Sequence, residues 1–194
     1  MNFAEGLETQ HYRLEDHMDE DALWISIDLI DGMRAREKFI QPDETHLHVA
    51  ASVLDMDAWM PLVPKERPVF FTAQGLFMYL EEEANKKLFQ QMADDHPGAT
   101  LQFDWIAAWL SNRTMKGFKL TKDYTTPKMP FGVNKNNAKC LLESWVPGIE
   151  VEEIAWPTEN VGGLLRRIIH IFMATPILKN YQPGFVLRVK FPSE

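Results

Sequence analysis

The side chains in this sequence best suited to binding a ligand stand where apolar runs end. After the opening Asn2-Phe3 comes Ala4-Glu5-Gly6-Leu7-Glu8-Thr9-Gln10, with a single glycine in its turn. Lacking a Cβ, Gly6 lets backbone approach a ligand closely, and the helix start that follows offers unpaired N–H groups. The run at 23–27 ends in Asp28-Leu29, where a carboxylate can accept hydrogen bonds from both hydroxyls of a ribose. The run that begins at Leu47 ends in Ser52-Val53-Leu54-Asp55, whose acid can accept from an adenine amino group. A fourth run, at 69–73, leads into Gln74-Gly75, facing the reacting centre. Any one of these acids also looks like a helix cap or a solvated turn. A turn glycine, a ribose acid and an adenine acid in that order describe an adenosine site.

Spacing narrows the ligand. A dinucleotide site wants Gly-x-Gly-x-x-Gly, so that a pyrophosphate can sit on the helix N-terminus. Here one glycine lies between two acids, Glu5 and Glu8, which would repel a pyrophosphate and attract a sulfonium and an amino group. The expected cofactor is therefore S-adenosylmethionine rather than a nicotinamide dinucleotide.

The elements that must position these residues alternate in kind. Strands are expected at 23–27, 47–52, 69–73 and 100–105, with helices at 30–39 and 81–95 between them. The run at 69–73 is apolar throughout, the pattern of a strand buried on both faces. This alternation is the signature of a doubly wound α/β sheet, whose ligands bind beyond the carboxyl ends of the strands. Further on, a Pro/Gly-punctuated loop spans 124–134, with a helix at 138–145, a strand at 151–156, a helix at 164–178 and a strand at 185–191. The first strand is a stub before the Gly6 turn. Residues 1–194 read as one domain.

Composition excludes several classes. A net charge of −8 argues against binding nucleic acid or anionic lipid. The single cysteine, Cys140, can form neither an internal disulfide nor a zinc knuckle, so a reducing, cytoplasmic setting is expected. No apolar run reaches membrane-spanning length, and the amino terminus does not look like a signal peptide. His46 and His48 share a strand face but lack a third ligand, so no metal is expected. Arg13 is expected to anchor the first loop on a nearby acid, and Arg166-Arg167 to lie on a solvated face. Trp105, Trp109 and Phe131 either floor an acceptor pocket or pack the helices around them.

Three segments carry a family likeness. Ala4-Glu5-Gly6-Leu7-Glu8-Thr9-Gln10-His11-Tyr12-Arg13-Leu14, Ile27-Asp28-Leu29, and Thr72-Ala73-Gln74-Gly75-Leu76-Phe77-Met78-Tyr79-Leu80 resemble the motifs of the leucine carboxyl methyltransferase family. The likeness is stronger to its bacterial branch of TcmP-type polyketide O-methyltransferases. It implies a class I methyltransferase core: a Rossmann-like, mostly parallel seven-stranded sheet with its last strand, 185–191, antiparallel. Departures are Ala4 in place of the family's first glycine and Gln74 where the leucine carboxyl enzymes carry Glu. Family members also have a helical segment ahead of the first strand, which this chain is expected to lack.

Methyl transfer from a sulfonium is an in-line displacement that needs alignment more than acid–base groups. Gln74 and Tyr79 are assigned as positioning residues beside the methyl group. The expected partner is a small-molecule methyl acceptor, a carboxylate or a hydroxyl, with neither nucleic acid nor membrane; an exposed strand edge would favour a homo-oligomer. Two other readings stand beside this one: a non-catalytic scaffold with the same fold, motivated by Ala4, and a nicotinamide-dependent reductase.

Overall fold

The computed structural model describes residues 1–19, 21–155, 163 and 182–193. Its strands are β1 (Asn2–Phe3), β2 (Trp24–Asp28), β3 (His46–Ala50), β4 (Phe70–Ala73), β5 (Thr100–Ile106), β6 (Glu150–Ile154) and β7 (Gly184–Lys190). They form one sheet of order β3-β2-β1-β4-β5-β7-β6. β7 runs antiparallel to both its neighbours, and every other pairing is parallel. This is the doubly wound, mostly parallel arrangement that the sequence implies. The helices are α1 (Gln10–Leu14), α2 (Ile30–Arg36), α3 (Met56–Trp59), α4 (Glu82–Asp95), α5 (Ala108–Met115) and α6 (Lys135–Trp145).

β1 is two residues long and yet central. Asn2 and Phe3 pair with Ser26 and Ile27 on one side and with Thr72 and Ala73 on the other. The chain winds outward from β1 through β2 to β3, then returns to β4 on β1's other flank. The switch point, where ligands bind in such sheets, therefore lies between β1 and β4.

Register makes the two sheet faces unlike. Val49, Ile27, Phe3, Ala73, Phe103 and Leu187 align across one face as an apolar row. α4 and α6 pack on it: the Phe89 ring lies 5.3 Å from Phe103 and 5.6 Å from Trp145. On the opposite face His48, Ser26, Asn2, Thr72, Gln102, Arg188 and Glu152 align as a row that is polar from edge to edge. Side chains alternate along each strand, so the two rows are neighbours in sequence and opposites in space.

Several expectations need correction. The helix after β2 stops at Arg36 because residues 38 and 39 turn back onto Ala35 and Arg36 carbonyls. β4 is buried on both faces only from Phe71 to Ala73, because its first residue, Phe70, is 46% exposed. Trp105 and Phe131 are core, their rings 5.4 Å apart and both buried, whereas Trp109 is exposed. The helix expected at 164–178, with Arg166 and Arg167, lies outside the described residues. Among those described, no helix is long and apolar enough to cross a membrane.

The turn after β1 is strained at one residue. Ala4 has φ +52°, left-handed backbone that a Cβ disfavours by about 1 kcal/mol. Ala4→Gly should therefore raise the thermal melting temperature by roughly 2–4 °C. An unchanged or lower temperature in calorimetry would show that the turn bears no such strain.

Candidate functional site

A crevice of about 310 Å³ opens at the carboxyl ends of β1, β2 and β4, lined by Ala4, Asp28, Ser52, Val53, Gly75 and Tyr79 among others. Among the described residues of that lining, Asp28 is the only ionisable side chain besides Tyr79. Its carboxylate oxygens accept one backbone N–H each at 2.7 Å, from Gly6 and from Leu29. A carboxylate has about four lone-pair positions, so two remain for a ligand's hydroxyls. Gly32 on α2 makes room for this group. A Cβ there would lie 2.5 Å from Asp28 Oδ1, which accounts for a glycine inside a short helix.

Behind the Gly6 turn lies a buried charge cluster. The Glu5 and Arg36 side chains are both fully buried and pair at 3.2 Å. Arg36 Nη1 also donates to the Gly6 and Glu8 carbonyls, at 3.0 and 2.9 Å, and Nε donates to His48 Nε2 at 3.2 Å. Ser26 Oγ and Trp24 Nε1 donate to Glu5 Oε2. His46 Nε2 lies 2.8 Å from Ser26 Oγ, and its ring stacks on His11 at 4.3 Å. One guanidinium thus ties the Gly6 turn to β3, and its partner Glu5 ties the same turn to β2. Burial, with His11, His48 and Arg36 around it, pulls the His46 pKa down to about 4. Burial and then Arg36 lower that of His48 as well.

The other side of the crevice has a second carboxylate in a matching place. Gly75, at φ +63°, donates its N–H to Asp104 Oδ1 at 2.7 Å. Burial raises the Asp104 pKa, and the Gly75 hydrogen bond opposes that rise. Tyr79, in the 3₁₀ turn Phe77–Tyr79, feels both Asp104 and Tyr124, and burial is the main cause that raises its pKa. Gln74 is exposed beside this group.

No family model matches the chain. It is 26% identical over 153 residues to the tetracenomycin polyketide synthesis O-methyltransferase TcmP of Streptomyces glaucescens, covering 79% of this chain and 54% of that protein. The chain thus spans about half the length of that curated relative. Among solved structures, an S-adenosylmethionine-dependent methyltransferase from Anabaena variabilis superposes with TM-score 0.61 at 13% identity, over 98% of this chain and 75% of that one. An S-adenosylmethionine-dependent methyltransferase from Mesorhizobium loti superposes with TM-score 0.60 at 12% identity, over 97% and 88%. The fold is that of the class I methyltransferases.

On this methyltransferase fold, the residues expected from sequence divide clearly. Ala4, Asp28, Leu29, Ser52, Val53, Gly75 and Tyr79 line one crevice, and Gly6 is tied to it through Asp28. Leu54 and Asp55 do not: they line a separate cleft with Lys65 and Lys87, Asp55 lying five residues beyond the end of β3. Gln74 is likewise outside the crevice lining. The role expected for the Glu5 charge also needs correction, because Arg36 holds that carboxylate in the interior. Glu8 is paired with Arg13, which anchors the loop as expected. Sequence reasoning missed Arg36 and Asp104. Both had a local signal: Arg36 shares a helix face with buried Met33, and Asp104 alternates with buried Phe103 and Trp105.

Arg36→Met should cost about 3–5 kcal/mol in denaturant unfolding, because it leaves Glu5 buried without its partner. Adding Glu5→Gln should recover part of that loss; no recovery would mean that the charge pairing is not what matters. His46 and His48 both have folded pKa values below the ordinary 6.5, so the unfolded chain binds protons first as pH falls. Their contribution to stability is complete above pH 6.5 and lost towards pH 4. Thermal midpoints should fall across that window, and His46→Gln should flatten the slope.

Proposed function

We propose that this protein is an S-adenosylmethionine-dependent methyltransferase that methylates an oxygen of a small molecule, a carboxylate or a hydroxyl. The observation that carries this reading is Asp28 in the switch-point crevice, with lone pairs beyond its two backbone bonds and no cation among the described residues of the lining. The chemistry of the donors fits the cofactor: a carboxylate for the ribose hydroxyls and apolar Ile27, Val53 and Leu80 for a purine. Ser52 Oγ and the backbone of Val53 stand at the rim where the adenine amino group would lie. The fold, and the likeness to an O-methyltransferase over 79% of the chain, point the same way.

When bound, S-adenosylmethionine supplies a methyl group activated by its sulfonium. The residues here have simpler tasks. Asp28 orients the ribose, and Arg36 holds the carbonyls of Gly6 and Glu8 so that the turn presents one surface. Gly75 and Tyr79 border the far end, where an acceptor would sit. Gln74 and Tyr79 remain the residues proposed to position that acceptor. Asp55 has no place in the crevice and no part in this mechanism.

Calorimetric titration with S-adenosylhomocysteine tests the reading. The wild type should bind it, and Asp28→Ala should weaken binding roughly 10- to 100-fold, as loss of a charged hydrogen bond does. Gly32→Ala should weaken it too, by pushing the carboxylate aside without removing it. Equal affinity in all three proteins would take Asp28 out of the site, and absence of binding to the wild type would end the assignment.

A further inference from the structure

We infer that His48 is a positioning residue for the cofactor, acting through Arg36 and Gly6 on Asp28, and that it does so only while its ring is neutral. The inference rests on the methyltransferase reading and adds to it a residue outside the crevice and a condition on binding. Gly6 is the link. Its N–H donates to Asp28 Oδ2 at 2.7 Å, and its carbonyl accepts from Arg36 Nη1 at 3.0 Å. Whatever sets the guanidinium therefore sets the turn that aims the carboxylate of the site.

Every nitrogen of the Arg36 guanidinium is engaged. Nη1 serves the Gly6 and Glu8 carbonyls, and Nη2 faces Glu5 Oε1 at 3.2 Å and His46 Nε2 at 3.5 Å. Nε donates to His48 Nε2 at 3.2 Å. The group is planar and rigid, so losing one of these contacts tilts the others. An arginine only donates, so His48 Nε2 must accept, which leaves the ring proton on Nδ1. That nitrogen faces Glu37 Oε1 at 3.6 Å. Both the Arg36 and the His48 side chains are shut away from solvent, which offers Nε no other acceptor.

Protonation takes the acceptor away. An imidazolium donates from both nitrogens, and its charge stands against the guanidinium. Among the described residues, the other titratable groups around His48 are Glu37 at the end of α2, Glu5 after β1, and His46, whose ring lies 4.8 Å away on β3. His46 in turn faces His11 of α1 and Asp43 ahead of β3. Burial and then Arg36 hold the His48 pKa below its usual 6.5, against the pull of Glu37 and Glu5. Once acid overcomes that, Arg36 turns from β3, the Gly6 and Glu8 carbonyls lose their donor geometry, and the N–H that aims Asp28 moves with them. The cofactor thus binds the neutral form more tightly, and by linkage its binding opposes proton uptake at His48.

Calorimetric titration with S-adenosylhomocysteine across pH tests this. From pH 7.5 to pH 5 the wild-type affinity should fall about 10-fold, the size expected for losing a hydrogen bond to a charged group. His48→Gln keeps an acceptor near the Nε2 position and takes no proton, so it should match the wild type at pH 7.5 and change less than about 3-fold over the same range. His46→Gln should retain the wild-type slope, because the His46 pKa of about 4 lies below that range. A second readout needs no variant: saturating S-adenosylhomocysteine should move the titration of the His48 ring, followed by NMR, to lower pH. A slope equal in His48→Gln and the wild type, a slope that His46→Gln removes, a wild-type affinity that ignores pH, or a His48 titration that the ligand leaves in place would each overturn the proposal. A wild type that does not bind S-adenosylhomocysteine at pH 7.5 refutes the underlying assignment instead.

Discussion

The site depends on one buried ion pair. β1 is only two residues long, so the turn that follows it cannot take its shape from a long strand ladder. Arg36 substitutes for that ladder. It neutralises Glu5 in the interior and donates to two carbonyls of the turn, while Glu5 accepts from side chains of β2. A buried pair of this kind is not itself a source of large stability, because desolvation offsets most of its Coulomb energy. What it supplies is a single geometry. Either charge left alone in that place is costly, so the turn has no low-energy alternative in which the two separate.

With the turn fixed, the two faces of the sheet take different tasks. The apolar row carries α4 and α6 and the aromatic cluster around Phe89, Phe103, Trp105 and Trp145. The polar row and the positions flanking it carry Asp28, Asp104, Ser26 and the histidines. Period-two alternation lets one strand serve both: Phe103 and Asp104 are adjacent in β5, one bonded into the core and the other to the Gly75 turn. A substitution that slipped the β4–β5 register by one residue would exchange them and remove core and site together.

The parts of this arrangement legible in the sequence are those with local causes. Strand ends show as apolar runs closed by acids, and Gly6 and Gly75 show as turns, so Asp28 and the crevice rim were readable. The antiparallel β7 came from family likeness, because nothing in 185–191 alone reveals its direction. Glu5 was misread because its partner Arg36 is 31 positions away, and a carboxylate beside a turn glycine looks solvated until that partner is seen. Asp55, expected at the adenine, stands outside the crevice for a geometric reason. β3 ends at Ala50 rather than Ser52, which carries the acid past the rim and onto a different cleft. Asp104 was passed over because a single acid within an aromatic strand has no motif, only an alternation.

The electrostatic case for the cofactor survives these corrections, on different residues. Glu5 and Glu8 are each neutralised by an arginine and put little field into the crevice. The negative charge that a ligand would meet comes from Asp28, with no lysine, arginine or histidine among the described residues of the lining to offset it. A pyrophosphate placed there would face repulsion from Asp28, whereas a sulfonium with its amino group would be attracted. Such a field also favours the reactant cation over the neutral thioether left after transfer. Release of the product is thereby eased, and the cost to the chemical step must be recovered by alignment of the reacting groups.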